Sequence, residues 1–461
     1  METVSFSWLV ILPFALMLSI IAIFPLWKKT AHRWEKNSFK LLLALLLGIP
    51  VAVWMLIIGQ TESVIHALVE YGQFIILLTT LFVISGNVFL QGDIEATPIT
   101  NVKFLAVGGI LASFIGTTGA AMILIRPLLN TNKERKYVVH TVIFFIFIVA
   151  NCGGLLTPLG DPPLFLGMLR GVPFSWTFSL WSEWLFVVGV LLLLYFLMDN
   201  YYYSLEPTSN IVKDQTHILP IKLVGKRNLL LLLGVVLSVA FLPSIDLTAY
   251  HHSHNLSALL PVREIIMGIL IFLSLRGPQV ARQQNEFNYH AIQEVAALFI
   301  GIFLTMIPAL MYLRQVAPTL PLNEVTFFIF TGGLSSVLDN APTYLTFFEM
   351  AQAMGGNPSV AGVYEPYLIS ISLGAVFCGA MTYIGNGPNF MVKAIAEERK
   401  IAMPSFIGYL KWSVTILVPL FSVLVMIFIV GGWWAVVGSS ILALYVLFFL
   451  YLNYFKKTAL V

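Results

Sequence analysis

Two aspartates, Asp161 and Asp339, stand in apolar stretches of a 461-residue chain, each within three residues of a proline. A carboxylate inside a membrane is expensive to keep and marks function by default. Oxygen donors surround both in the sequence, and a hard cation such as sodium takes oxygen ligands. Thr157 and Asp161 with Thr117 and Thr118 form one expected cluster, and Thr382 and Asn386 with Asp339 and Asn340 form its mate. Thr343 follows the second tip, and Gly160 and Gly385 supply backbone beside Asp161 and Asn386. The expected sodium ligands are Asp161, Asp339, Asn340 and Asn386. A carboxylate that holds either a proton or sodium makes the two compete, and that competition is exchange. Each aspartate also has a plainer reading, as the cap of a following helix: Asp161 before Pro162, and Asp339 with Pro342 an early helical residue.

The elements that must position these residues are interrupted helices. Residues 151–167 hold four glycines, three prolines and Asp161 within a stretch long enough to cross a bilayer. Pro158, Pro162 and Pro163 lack backbone donors, so no continuous helix passes through. Irregular backbone at membrane depth survives only inside protein or against a watery cavity. The composition, 59% hydrophobic and 10% charged, identifies an all-α polytopic membrane protein, since soluble domains carry about 25% charged residues. Spans are expected near 6–27, 41–59, 72–91, 137–169, 179–203, 227–243, 262–276, 291–313, 366–395, 405–430 and 432–455. The first, without a basic leader region or cleavage site, reads as a retained span. Segments 104–129 and 325–352 are broken at Gly116-Thr-Thr-Gly119 and Leu338-Asp-Asn-Ala-Pro342. Their halves, about a dozen residues each, are short for a crossing and predict two re-entrant hairpins.

With 11 spans, two hairpins and the N-terminus outside, all of the 25 lysines and arginines except Arg170, Arg263 and Arg314 fall on the cytoplasmic side, as does the C-terminus. The chain also repeats. Phe82-Val-Ile-Ser-Gly-Asn87 lies opposite Phe303-Leu-Thr-Met-Ile-Pro308, and Thr117 opposite Asp339. Gly154-Leu-Leu-Thr-Pro-Leu-Gly-Asp161 lies opposite Gly379-Ala-Met-Thr-Tyr-Ile-Gly-Asn386, 225 residues on. The two hairpins enter from opposite sides, so the repeats are inverted. Paired broken segments in inverted repeats point to the substrate site of a transporter. The expected units are 1–71, 72–205, 206–290, 291–430 and 431–461, with the second and fourth as the repeats.

The hairpin tips, Gly-Gly-x-x-Thr-Pro-x-Gly-Asp-Pro-Pro and Leu-Asp-Asn-Ala-Pro-Thr resemble the ion transporter superfamily over roughly 40–430. That group includes NhaD-type sodium/proton antiporters, arsenite-type pumps, citrate transporters and sodium/dicarboxylate symporters. The resemblance implies a homodimer in which a domain of hairpins and broken helices moves against a scaffold. The symporters carry Ser-Asn-Thr at both tips and Thr-Pro-Pro-Asn at both breaks. Acids replace neutral residues here at Asp161 and Asp339, which favours the antiporter branch.

Sodium (or lithium)/proton antiport in a bacterial cytoplasmic (inner) membrane is therefore the expected function. The alternative is sodium- or proton-coupled uptake of citrate or a similar small carboxylate, and the remote one an intramembrane aspartyl protease on Asp161 and Asp339. No cofactor beyond the transported ions and no nucleic-acid partner is expected, and no phosphate loop for ATP is present. Cys152 and Cys378 read as buried thiols. Glu62, His66 and Glu70 read as an outer loop, as does the cluster His251, His252 and His254. Arg126 reads as snorkelling at a hairpin base, Asn87 as helix glue, and His140 as a boundary residue that could relay protons.

Overall fold

Hydrocarbon leaves backbone groups no partner but each other, and the chain accordingly folds as helices almost throughout. The computed structural model describes residues 6–25, 27–216 and 218–458. The ends of the first and last units, 1–5 and 459–461, and the side chains of Lys28, His252, Lys456 and Lys457 lie outside the described residues. Among the described residues, eight helices of 18 residues or more are apolar enough to cross a membrane. Four shorter apolar helices accompany them, three of which belong to the interrupted segments: Val139–Leu155, Glu324–Ser335 and Glu365–Met381. This is an all-α polytopic membrane protein.

Both interrupted segments are antiparallel helical hairpins. Hairpin 1 comprises Pro98–Ile115 and Thr117–Thr131, joined at Gly116. Gly116 has φ +82°, which a side chain would oppose. The arms are packed along their length: Asn101 and Asn132 at the base exchange two side-chain hydrogen bonds of 2.9 Å. Nearer the tip, a carbon added at Gly108 would lie 3.1 Å from Leu124. The first arm is longer than expected, because Thr97 caps it well before residue 104 by accepting from Thr100 N. Hairpin 2 comprises Glu324–Ser335 and Asn340–Met354, with Phe327 and Phe347 edge-to-face at 6.3 Å.

The broken helices follow the hairpins. The first runs Val139–Ile148, then a 3-10 turn Cys152–Leu155, then Pro162–Leu169. The second runs Glu365–Cys378, Gly379–Met381, then Gly387–Glu398. Uninterrupted helices flank this unit. Asn37–Ile57 lies so close to His290–Val316 that a carbon added at Gly301 would sit 2.7 Å from Ala44, the small-residue packing that draws membrane helices together. Thr61–Ser85 stacks Phe74 on Phe299 at 4.9 Å, and Tyr71 Oη donates to Ala296 O at 2.9 Å.

Two features depart from the sequence expectation. Glu62, His66 and Glu70 are not in a loop: the helix begins at Thr61, and the three polar residues, four apart, lie along one face of it. A short antiparallel ribbon, Phe89–Asp93 with Leu219–Val224, ties the start of hairpin 1 to a segment some 130 residues later.

Candidate functional site

Both broken helices resume on proline, at Pro162 and Pro163 and at Pro388, where the missing donor costs nothing. The N-cap positions before them are Asp161 and Asn386, both extended, and neither side chain caps its own helix. They turn to each other instead. Asn386 Nδ2 donates to Asp161 Oδ1 at 3.2 Å, and Thr117 Oγ1 donates to the same oxygen at 3.2 Å. Asn340 Nδ2 donates to Asp161 Oδ2 at 2.5 Å. The four groups come from break 1, break 2 and both hairpin tips, and none is more than 5% exposed. All three donors to the carboxylate are neutral.

One acceptor in this cluster is unused. Asn340 Oδ1 is buried without a hydrogen-bond partner, although its amide nitrogen is engaged on Asp161. Buried polar atoms are almost always paired, so an orphan oxygen beside a carboxylate calls for an explanation. The orphan oxygen and the carboxylate are oxygen donors of the kind sodium takes, so Asp161 and Asn340 are the residues that would hold such a cation.

Behind the cluster lie two asparagines that the sequence reading left aside. Asn151 Oδ1 accepts from Asn386 Nδ2 at 3.2 Å, while Asn151 Nδ2 donates to Ile146 O at 2.8 Å and to Asn389 Oδ1 at 2.6 Å. Asn389 Nδ2 in turn donates to Gly379 O and Thr382 O. Backbone carbonyls thus set the polarity of each amide in turn, and the chain ends by presenting the Asn386 NH2 to Asp161. The only sequence signal was position: Asn151 opens break 1 and Asn389 lies in the first turn of the helix after break 2.

Thr157, Thr382, Thr343 and Asp339 have structural partners. Thr157 Oγ1 donates to Ser113 O and accepts from Leu159 N. Thr382 Oγ1 donates to Ser336 O at 2.5 Å and accepts from Ile384 N and Gly385 N. Each threonine pins its break to the hairpin of its own repeat, and the two do so at equivalent positions. Thr118 is half-buried and is not among the side chains that bond Asp161. Thr343 Oγ1 donates to Asp339 O at 3.0 Å. The Asp339 carboxylate accepts from Ala341 N at 3.1 Å, so it caps the second arm of hairpin 2 and forms no hydrogen bond with Asp161. The paired acids an aspartyl protease needs are not joined here. His140 and Arg126 also have partners away from the cluster: His140 lies 2.8 Å from Asp199, and Arg126 3.1 Å from Glu286.

Glycine lets the breaks cross themselves. Gly160 O accepts from Thr117 N at 2.9 Å, which seats the tip of hairpin 1 on break 1. A carbon added at Gly160 would meet Gly154 O at 2.0 Å, and one at Gly385 would meet Gly379 O at 2.6 Å. Backbone cannot yield cheaply to such a clash, and overpacking typically costs about 1–3 kcal/mol. Gly160→Ala is therefore expected to lower the yield of monodisperse protein in fluorescence-detected size exclusion well below that of Gly189→Ala, where an added carbon meets open space. Equal yields would show that the crossing tolerates a side chain.

Residues 3–429 match the model of a family described as "Putative citrate transport". No curated protein matches the chain.

Proposed function

The chain belongs to this citrate transport family, and on that premise we propose that it is a secondary active transporter in which Asp161 exchanges a proton for a sodium ion. The family makes it a transporter; the cluster suggests which ion it handles. The observation that carries the reading is one buried carboxylate, fed by three neutral donors from both repeats, beside the orphan oxygen of Asn340. No lysine, arginine or histidine bonds Asp161 among the described residues, so a cation or a proton is left to neutralise it. Sodium (or lithium) would sit between Asp161 and Asn340, and a proton on Asp161 would expel it. The hairpins and broken helices would form the moving unit of an elevator, with the hairpins re-entrant and the flanking helices as scaffold of a homodimer in the inner membrane.

The family description favours a second reading, in which citrate or a similar carboxylate is cargo and the Asp161 cluster is the coupling-ion site. Helices that begin at Thr117, Asn340, Pro162 and Gly387 start around the cluster, and helix N-termini attract anionic groups. Inverted membrane vesicles separate the two. Sodium added to vesicles with a preformed proton gradient is expected to dissipate it without citrate, more weakly as pH is lowered, because protons then occupy the shared carboxylate. Accumulation of labelled citrate with no sodium response would overturn the exchange reading and leave the carboxylate one.

A further inference from the structure

Nine residues beyond the site, its two helices meet again. Pro162–Leu169 begins at Asp161 and ends at Arg170; Asn340–Met354 begins at Asn340 and carries Glu349, each charged residue nine positions along. The helices are packed tightly between these ends, since a carbon added at Gly167 would lie 2.4 Å from Tyr344 Oη. Arg170 NH1 donates to Glu349 Oε1 at 2.5 Å. One rigid pair of helices thus joins the Asp161–Asn340 contact to an Arg170–Glu349 ion pair.

That pair is bonded on both sides to helices of the flanking unit. Arg170 reaches Glu70, on Thr61–Ser85, through two nitrogens at 2.9 and 3.0 Å. Glu349 is 2% exposed and also accepts from Arg314, on His290–Val316. The result is a row of alternating charges, Glu70–Arg170–Glu349–Arg314, in which the middle bond lies within the site unit and the outer two cross to its neighbours. Glu62, His66, Ala67, Arg170, Arg314 and Glu349 line a cavity of about 240 Å³ at this seam. Arg170 and Arg314 are two of the three basic residues that the charge distribution puts outside.

We propose that this row is an outer latch, which holds the crevice between the site unit and the flanking helices closed on the non-cytoplasmic side and must part at Glu70–Arg170 and Arg314–Glu349 before the site can open outward. The latch rests on the reading that the hairpin and broken-helix unit moves, though not on which cargo it moves. Glu70→Gln cuts the crossing bond to Arg170, and Arg314→Gln cuts those from Arg314 to Glu349 and to Gln352 on the same helix; both leave the Arg170–Glu349 pair intact, so no buried charge is stranded.

The test uses Ala67→Cys, a buried position in the wall of the cavity, labelled from outside in whole cells by a membrane-impermeant maleimide. Labelling is expected to speed up by about fivefold or more in either latch variant, the lower end of coupling between distant sites. Lys393→Gln, which cuts the exposed Lys393–Glu397 pair elsewhere, is the control for general loosening and is expected to leave the rate unchanged. Unchanged labelling in both latch variants, or an equal rise in the control, would overturn the latch. The readout needs no cargo, so a silent vesicle assay with faster labelling sinks the exchange reading alone, and working transport with flat labelling sinks the latch alone.

Discussion

Asp161→Asn is expected to abolish sodium-driven proton movement in inverted vesicles while leaving most of the protein folded. The asparagine keeps the shape of the side chain but cannot carry charge, so neither a proton nor sodium has anything to exchange on. It also turns one acceptor into a donor, against the amides of Asn340 and Asn386 and the hydroxyl of Thr117. An unsatisfied buried donor costs about 1–3 kcal/mol, which lowers the thermal midpoint without unfolding the chain. Asp161→Glu keeps the charge and moves it by one methylene; it is expected to retain weak transport. Asp339→Asn is the informative partner. Asparagine caps helices as well as aspartate does, so the hairpin is expected to stand, and transport is expected to persist if Asp161 alone exchanges. Loss of transport in a stable Asp339→Asn protein would assign the exchange to both acids.

That contrast could not be read from the residues, where both aspartates could cap a helix and both were expected to bind the ion. Which acid caps depends on where the hairpin tips fall: Asp161 finds three side-chain donors from outside its own helix, whereas Asp339 finds the amide of Ala341. What was legible came from groups with few options. Proline at Pro162, Pro163 and Pro388 cannot continue a helix but can begin one, glycine at Gly116 takes the turn, and the repeat follows from the nearly equal spacing of the two halves. The hydrogen bonds of Thr157 and Thr382 honour that repeat. The first part of the helix Thr61–Ser85, ahead of the span expected near 72–91, was missed for a physical reason. Glu62, His66 and Glu70 looked solvated because they are charged, although a spacing of four already placed them on one helical face. The ribbon of Phe89–Asp93 with Leu219–Val224 carried no local signal, because the partners are remote in sequence. The asparagine relay is similar: each amide is ordinary until the breaks cross.

Arg135→Leu is expected to be the most destabilising single substitution away from the candidate site. Arg135 donates to both oxygens of Asp199, at 2.6 and 3.1 Å, and Asp199 is fully buried. His140 Nε2 at 2.8 Å, Tyr195 Oη at 3.1 Å and Asn101 Nδ2 at 3.2 Å complete the shell around that carboxylate. Asn101 joins the two arms of hairpin 1 at their base, so the network sets the footing on which Thr117 is presented to Asp161. Removing the guanidinium strands a buried charge, for which losses of about 3–5 kcal/mol are typical. The thermal midpoint in detergent should fall by several degrees, and transport should weaken in proportion to the folded fraction. Asp199→Asn separates charge from architecture. It removes the anion but leaves an acceptor for Arg135, and the stranded charge becomes the guanidinium, which Glu206 lies 3.7 Å away to receive. Asp199→Asn is therefore expected to cost less than Arg135→Leu. If the two cost the same, the network acts through its hydrogen-bond shape and not through its buried charge.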